Sequence, residues 1–165
     1  MSSPRRIEPG PGQESVWDYP RPPRIGRCTK HVRILFEGKA VAESDRAVRV
    51  LETSSPPTIY VPPDDVALEL LEPVDDHNSY CEWKGGAVYF DVAVGGERAK
   101  NAVWSYPDPK PAFAVIKDYV SLYPAKVECF LDDERVQPQE GGFYGGWITK
   151  EIVGPFKGAR GTGGW

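Results

Sequence analysis

The stretch "SYCEWKGGAVYFDV" carries a cysteine, a tryptophan and a lysine just before an apolar run. Cys81 is a candidate nucleophile, because a thiol becomes reactive when a nearby imidazole or cation lowers its pKa. His77 and Lys84 are the two such groups close in sequence. The segment has the pattern of a turn entering a strand, where this spacing does not by itself bring side chains together. An inert, apolar role for Cys81 is the alternative interpretation.

Lys84 is a candidate for ligand binding. It stands between Trp83 and Gly85. A lysine held near an aromatic ring can offer its charge to an anionic ligand, and a glycine lets a ligand approach the backbone. The competing interpretation is a solvated charge at the start of a strand.

Aromatic residues are numerous, with five Trp and eight Tyr in 165 residues. Converging rings can stack on a planar ligand or surround a cation, although about half of them are expected to pack in the core. Tyr60 and Tyr106 lie close to prolines and are predicted to form rigid walls of a cleft. Asp91 shares a strand face with Tyr89 and is predicted to be a carboxylate inside that cleft, with an arginine pair as the alternative. Trp147 completes the predicted binding set.

The sequence predicts neither a bound metal nor a cofactor. Its three Cys and two His are scattered, whereas zinc ligands usually come in local pairs. The glycine-rich stretches "GGFYGG" and "GARGTGG" lack the Gly-Lys-Ser/Thr ending of a phosphate-binding loop. The acidic pairs have the setting of turn residues, and no G-x-S-x-G signature is present.

The composition of the chain limits the classes of partner that we expect. The net charge is −4, so no overall positive field favours a nucleic-acid partner. No apolar run is long enough to span a membrane, and no signal peptide is recognisable, which predicts a cytoplasmic protein without a membrane partner. An odd number of widely spaced cysteines is unlike a disulfide framework.

The elements that must position these residues are predicted to be short antiparallel strands, since 17 Gly and 17 Pro favour turns over long helices. Strands are expected on both sides of a turn at Glu37–Gly38, and at 47–51, 58–61 and 67–71. The clearest hairpin turns at Gly95–Gly96, preceded by Val88, Phe90, Val92 and Val94 on one strand face. Another hairpin is expected to turn at Asp132–Asp133.

One segment has helical rather than strand periodicity. Phe113, Ile116 and Val120 are spaced for one face of a helix. Asp108 is the predicted N-cap and Pro124 the predicted end.

The two ends of the chain differ from its middle. Residues 1–25 are predicted to form an extended, proline-rich arm, residues 26–150 the domain, and residues 151–165 a glycine-rich tail. Trp17 and Tyr19 are costly to leave in water, so we expect them to anchor the arm on the domain or on a second subunit of a homodimer.

Four motifs in order, "LETSSPPTIYVPPDDV", "CEWKGGAVYFDV", "NAVWSYPDPKPAF" and "GGFYGGWI", resemble the family called Domain of Unknown Function 427. The resemblance runs from about His31 to Thr149. It implies a β-tent, in which two antiparallel sheets meet at a steep angle around a cleft. The family also carries a nucleotidyltransferase label without an established activity. Metal-binding β-tent proteins use C-x-x-C pairs, which are absent here, and Ser55 replaces a histidine found in many relatives.

The sequence therefore predicts a mainly β domain, a β-tent with one short helix and extended terminal arms, that binds an unknown small molecule in an aromatic cleft. The predicted ligand is partly planar or apolar, with an anionic group that meets Lys84. Two alternatives stay open: an enzyme, either a transferase or a Cys81-dependent catalyst, and an interaction module or dimer without catalysis.

Overall fold

The computed structural model describes residues 5–165 and is mainly β, with 45% of the chain in strands. The strands are short and mostly antiparallel, as predicted. Their bounds are β1 Glu14–Ser15, β2 Arg24–Arg27, β3 Val32–Phe36, β4 Lys39–Ser44, β5 Val48–Leu51, β6 Thr58–Tyr60, β7 Leu71–Cys81, β8 Gly85–Val94, β9 Glu97–Ser105, β10 Val120–Leu122, β11 Glu128–Leu131, β12 Glu134–Arg135, β13 Gln137–Pro138, β14 Trp147–Ile148 and β15 Ile152–Val153. Short 3-10 segments cover Val16–Asp18, Pro63–Asp65, Leu68–Leu70 and Pro111–Ile116.

Two four-stranded antiparallel sheets form most of the molecule. One has the strand order β10-β9-β8-β7 and the other β12-β11-β3-β4. A three-stranded sheet, β2-β5-β6, adjoins the first of these, because Val61 after β6 exchanges backbone hydrogen bonds with Val120 of β10. The antiparallel, mainly β architecture is thus confirmed.

The backbone freedom of two glycines explains the tightest hairpin. Gly95 and Gly96 have φ of 55° and 90°, and Val94 pairs directly with Glu97. Two central residues with positive φ match the right-handed twist of the flanking strands. The predicted turn between β8 and β9 is confirmed, and the turns at Glu37–Gly38 and Asp132–Asp133 also join paired strands.

The face predicted for β8 is found for three of its four residues. Phe90, Val92 and Val94 pack on one cluster of apolar side chains, whereas Val88 is 38% exposed. Tyr89, on the opposite face, is buried in a second cluster. The pairing register with β9 shifts between Phe90 and Val92, but the extra residues lie in β9, because β8 pairs residue by residue with β7 through this stretch.

The segment before β8 also differs from the prediction. The strand expected at 67–71 is a 3-10 turn over Leu68–Leu70, and the next strand, β7, continues to Cys81. β7 is the edge strand of its sheet and carries Pro73, which an edge tolerates because one side of the strand needs no ladder hydrogen bonds. Most side chains of β7 are exposed and three are acidic, so its sequence shows no alternation of apolar and polar residues.

The predicted helix is shorter than its periodicity suggested. Only Pro111–Ile116 is helical, in 3-10 geometry, and the residue before it is Lys110, without a side-chain cap from Asp108. Asp118 has φ of 63°, and Val120 pairs with Ser105 in the sheet. Strand pairing thus takes over well before Pro124. Within the segment, Phe113 and Ile116 are buried as predicted.

The described parts of both chain ends pack on the same domain. β1 pairs with β15, and the indole of Trp17 donates a 2.8 Å hydrogen bond to the Pro155 carbonyl. Tyr19 is buried beside Leu51. Residues 1–4 of the predicted arm lie outside the described residues, and a homodimer through the arm stays a prediction. Within residues 5–165, no helix has both the length and the apolar character needed to cross a membrane.

Two clusters of buried side chains make up most of the core. The larger is aliphatic and includes residues from β3, β4, β9 and β11. The smaller is aromatic and joins β6, β8, β9 and the 3-10 segment Pro111–Ile116. Its aromatic members are Tyr60, Tyr89, Trp104, Tyr106, Phe113 and Tyr123.

Candidate functional site

A cavity of about 320 Å³ opens beside the aromatic cluster. It lies between strands β5 and β6, the ends of β7 to β9, and a glycine-rich loop at 139–145. This volume falls within the range of small-molecule sites. We call it the aromatic cavity.

Five of the residues predicted from the sequence line this cavity: Tyr60, Cys81, Trp83, Lys84 and Tyr106. Tyr60 ends β6 and Tyr106 follows β9, while Cys81 ends β7 and the other two form the turn into β8. Residues that are far apart in sequence thus share one concave surface.

Lys84 is the buried cation of the aromatic cavity. It is only 9% exposed, and it forms no ion pair within 4.0 Å among residues 5–165. Its Nζ lies 5.9 Å from the ring centroid of Tyr106 and 5.9 Å from that of Phe113. These contacts are cation–π interactions, which compensate only part of the cost of burying a charge.

The backbone around Lys84 explains its position. Gly85 has φ of 110°, and a Cβ on it would lie 3.4 Å from the Asp108 carbonyl. Lys110 donates a backbone hydrogen bond of 3.0 Å to the Lys84 carbonyl. Glycine therefore allows the turn to sit against residues 108–110, and this packing directs the lysine into the cavity.

Burial and the neighbouring acidic groups act on the pKa of Lys84 in opposite directions. Burial lowers it, whereas Tyr60 and Cys81, when deprotonated, and the Glu52 carboxylate raise it above its ordinary value. Lys84 is therefore charged at neutral pH. Burial raises the pKa of both Tyr60 and Tyr106, so their hydroxyls are protonated and Tyr60 supplies no negative charge to Lys84 at neutral pH.

The two tyrosine hydroxyls differ in their partners. The Trp104 indole donates a buried hydrogen bond of 3.1 Å to the Tyr60 hydroxyl oxygen. Burial is the main cause of the raised pKa of Tyr106, and a hydrogen bond with the Tyr60 hydroxyl adds to it. The two rings lie 6.3 Å apart. A bond between the two hydroxyls leaves one hydroxyl hydrogen that can be donated to a ligand.

Cys81 is partly exposed and lines the same cavity as Lys84. Cys28 and Cys129 are buried in the aliphatic cluster instead. His77, the other basic residue near Cys81 in sequence, packs edge-on against the Tyr89 ring at 4.3 Å. The structure therefore places Lys84, rather than His77, at the cavity surface with the thiol.

Asp91 lies outside the aromatic cavity. Its carboxylate accepts hydrogen bonds from Arg98 and from the Asn101 backbone, both at 2.8 Å. Burial raises its pKa, but these two donors outweigh that effect and lower it. The alternative interpretation, an arginine pair, describes Asp91, which lies on β8 beyond the residues that line the cavity.

Trp147 also lies outside the aromatic cavity. It is 1% exposed and donates a hydrogen bond of 3.1 Å to the Leu122 carbonyl. It contributes to a smaller cavity of about 140 Å³ on the other side of the core. Its short strand β14 pairs with β13, which turns the ring inward to the aliphatic cluster.

One wall of the site, the loop at 139–145, was not in the predicted binding set. Tyr123 donates a 3.1 Å hydrogen bond to the Phe143 carbonyl, which ties this loop to the aromatic cluster. A Cβ on Gly145 would lie 2.3 Å from the Trp104 ring. The glycines flanking "FY" were the available signal, since a backbone can rest on an aromatic ring only where no side chain intervenes.

Two further features of the cavity bear on its chemistry. Ser55, at the position where the resemblance places a histidine in many relatives, lines it with a hydroxyl. Among residues 5–165, no three His, Cys, Asp or Glu side chains are grouped so that they could hold a metal ion. The described cavity can thus bind through charge, hydrogen bonds and stacking.

Comparison with known proteins gives one family. A family model described as Domain of unknown function (DUF427), and named NTP_transf_9, matches residues 24–133. No curated protein matches the chain. The matched range contains Tyr60, Cys81, Lys84 and Tyr106, whereas the loop carrying Phe143 lies beyond it. Lys84 and the two tyrosines beside it therefore lie in the part shared with the family model.

Proposed function

Since the chain belongs to the family described as domain of unknown function (DUF427), whose description assigns no reaction, we propose a function from the cavity itself. The domain binds a small molecule that is planar in part and carries an anionic group. Lys84 meets the anionic group, and the rings of Tyr60, Trp83 and Tyr106 surround the rest.

The observation that carries this proposal is the burial of Lys84 without a carboxylate partner. A buried charge costs free energy unless it is paired. Aromatic contacts at 5.9 Å offset only part of that cost. An anionic ligand would supply the missing counter-charge, and the aromatic cavity provides the space beside it.

Aromatic rings support the planar part of the proposal. The ring centroids of Trp104 and Tyr123 are 4.7 Å apart, and those of Tyr60 and Trp104 are 6.2 Å apart. Rings held this closely form stiff surfaces with few rotamers to lose on binding. Such surfaces favour stacking with flat ligands.

A thermal-shift screen of the full chain against planar metabolites and nucleotides tests the proposal. A ligand present at about one hundred times its dissociation constant adds about 2.7 kcal/mol of stability, which appears as a shift of several degrees. We expect hits whose effect is lost in Lys84→Ala. Absence of any shift across a broad screen would contradict the proposal.

Cys81 supports a second candidate function, a thiol-dependent reaction on the bound molecule. The specific observation is that Cys81 and the Lys84 cation share the cavity surface. A thiol in the same cavity as a bound molecule is placed to act as a nucleophile on it. Rapid, pH-dependent alkylation of Cys81 in the folded protein would support it, and an inert thiol would contradict it.

A further inference from the structure

We infer that the ligand of the aromatic cavity is a planar aromatic acid with a single negative charge, a carboxylate, and that nucleotide polyphosphates are not its ligands. This inference rests on the proposed function and adds the chemical class of the ligand. It comes from the charges, the hydrogen-bond donors and the rings of the cavity.

The charged side chains that line the cavity include one buried cation. Two cations, Lys84 and Lys157, and two carboxylates, Glu52 and Glu82, line it. Glu52 pairs with Arg21 at 3.5 Å, while the Lys157 ammonium lies 5.6 Å from the Tyr144 ring. Lys84 is the buried member of this set. A single buried cation neutralises a carboxylate.

A polyphosphate does not match the charged side chains that line the cavity. Three or four negative charges would face the same two carboxylates with only Lys84 buried beside them. Proteins usually answer such charge with several cations, a bound Mg²⁺ or a glycine-rich backbone loop at a helix N-terminus. The described residues group no metal ligands, and the glycine-rich stretches open no helix. Like-charge repulsion therefore disfavours nucleotides.

The hydroxyl groups are oriented for an acceptor. The Tyr60 oxygen already accepts the Trp104 N–H at 3.1 Å, and the Tyr60 hydroxyl is also a hydrogen-bond neighbour of Tyr106. A bond between the two hydroxyls leaves one of their hydrogens free. This hydrogen and the ammonium of Lys84 are the donors that the cavity offers. A carboxylate, which accepts about four hydrogen bonds on two oxygens, is complementary to them.

The rings at the opening extend the aromatic surface outward. Tyr80 of β7 and Phe143 of the glycine-rich loop both line the cavity, and they are 69% and 65% exposed. Large exposed rings at a cavity edge commonly mark a binding surface. A fused ring system with its carboxylate at Lys84 can contact them, whereas acetate or another small acid cannot.

Isothermal titration of the full chain with matched probes tests the inference. The probes are 2-naphthoate, its neutral isostere 2-naphthamide, and ATP with and without Mg²⁺. We expect 2-naphthoate to bind about tenfold tighter than 2-naphthamide, because one charge-assisted contact contributes about that much. Lys84→Met should abolish this preference, and Tyr106→Phe should reduce it.

Lys100→Met is the matched control, because Lys100 is an exposed lysine of β9 that does not line the cavity. It should keep the wild-type preference for 2-naphthoate. Equal affinity for 2-naphthoate and 2-naphthamide, or tighter binding of ATP, would overturn the inference while leaving a small-molecule site in place. No binding of any probe at about 1 mM overturns the inference. Only a parallel absence of hits in the thermal-shift screen would also contradict the proposed function.

Discussion

The ammonium of Lys84 lies 5.9 Å from the ring centroid of Tyr106, in a site where no carboxylate of the described residues approaches it within 4.0 Å. A lysine needed only for folding would be expected to reach solvent or a carboxylate. This one is 9% exposed and has no such carboxylate, which supports the proposed contact with an anionic ligand.

Lys84→Met should stabilise the unliganded protein. Methionine has nearly the same length and shape but no charge to desolvate, so the free energy of unfolding is expected to rise by about 1 kcal/mol. Urea unfolding at neutral pH measures the change. Lys100→Met, at an exposed position, should leave stability nearly unchanged. A clear loss of stability in Lys84→Met would indicate a structural role for the lysine instead.

Gly145→Ala should damage both the fold and the cavity. The new methyl group would lie 2.3 Å from the Trp104 ring and 3.3 Å from that of Tyr123, so the loop or the indole must move. Overpacking of this kind costs about 1–3 kcal/mol. Thermal unfolding measures the loss, and the fluorescence of Trp104 should change with it.

Gly142→Ala is the control for this loop. A Cβ at Gly142 meets no heavy atom within 4 Å, so stability should stay within about 0.5 kcal/mol of the wild type. If both alanine variants lose the same stability, the effect comes from backbone flexibility rather than from contact with Trp104.

Local chemistry made part of this molecule predictable. The Gly95–Gly96 turn follows from the backbone freedom of two glycines. Lys84 was predicted to line a cleft from its neighbours Trp83 and Gly85, and it lines the aromatic cavity. The mainly β class and the family also followed from short motifs. Each of these features depends on residues close together in sequence.

Long-range packing decided the rest. Asp91 was predicted inside the cleft from the alternation of its strand, but Tyr89 is the last residue of β8 that lines the cavity, and Asp91 pairs with Arg98 of β9. The predicted helix was too long. Val120 pairs with Ser105 in the sheet instead, and local periodicity cannot show a contact between residues this far apart in the chain. The contact between Gly145 and Trp104 joins residues far apart in the chain. The sequence around either residue does not indicate that the two are in contact.

His31 should make stability depend on pH. Its ring nitrogens contact Asp45 at 2.8 Å and Glu43 at 3.2 Å, and the hydrogen bond to Asp45 is the main cause of a raised pKa. The folded pKa lies above the unfolded value of about 6.5. The stabilisation is therefore complete below pH 6.5 and is lost as the pH rises through the folded pKa.

Urea unfolding at about pH 5.5 and pH 8.5 measures this effect. Because the pair is exposed, the difference should be at most about 1 kcal/mol. His31→Gln should abolish that contribution, and Asp45→Asn should remove most of it. An unchanged pH dependence in both variants would show that other groups cause it.

The charge of Lys84 should raise the rate at which Cys81 reacts with an anionic alkylating reagent. Iodoacetate carries a carboxylate that Lys84 can attract, whereas iodoacetamide of similar size carries no charge. We expect the ratio of the two rates at Cys81 to fall about tenfold in Lys84→Met and to stay unchanged in Lys100→Met.

Mass spectrometry of the alkylated peptides measures both rates and distinguishes Cys81 from the buried Cys28 and Cys129. The two buried thiols should stay unmodified in the folded protein, because burial raises the pKa of each. If the ratio is the same in the wild type and in Lys84→Met, the charge of Lys84 does not reach small anions in this cavity, and the proposed anionic ligand loses its main support.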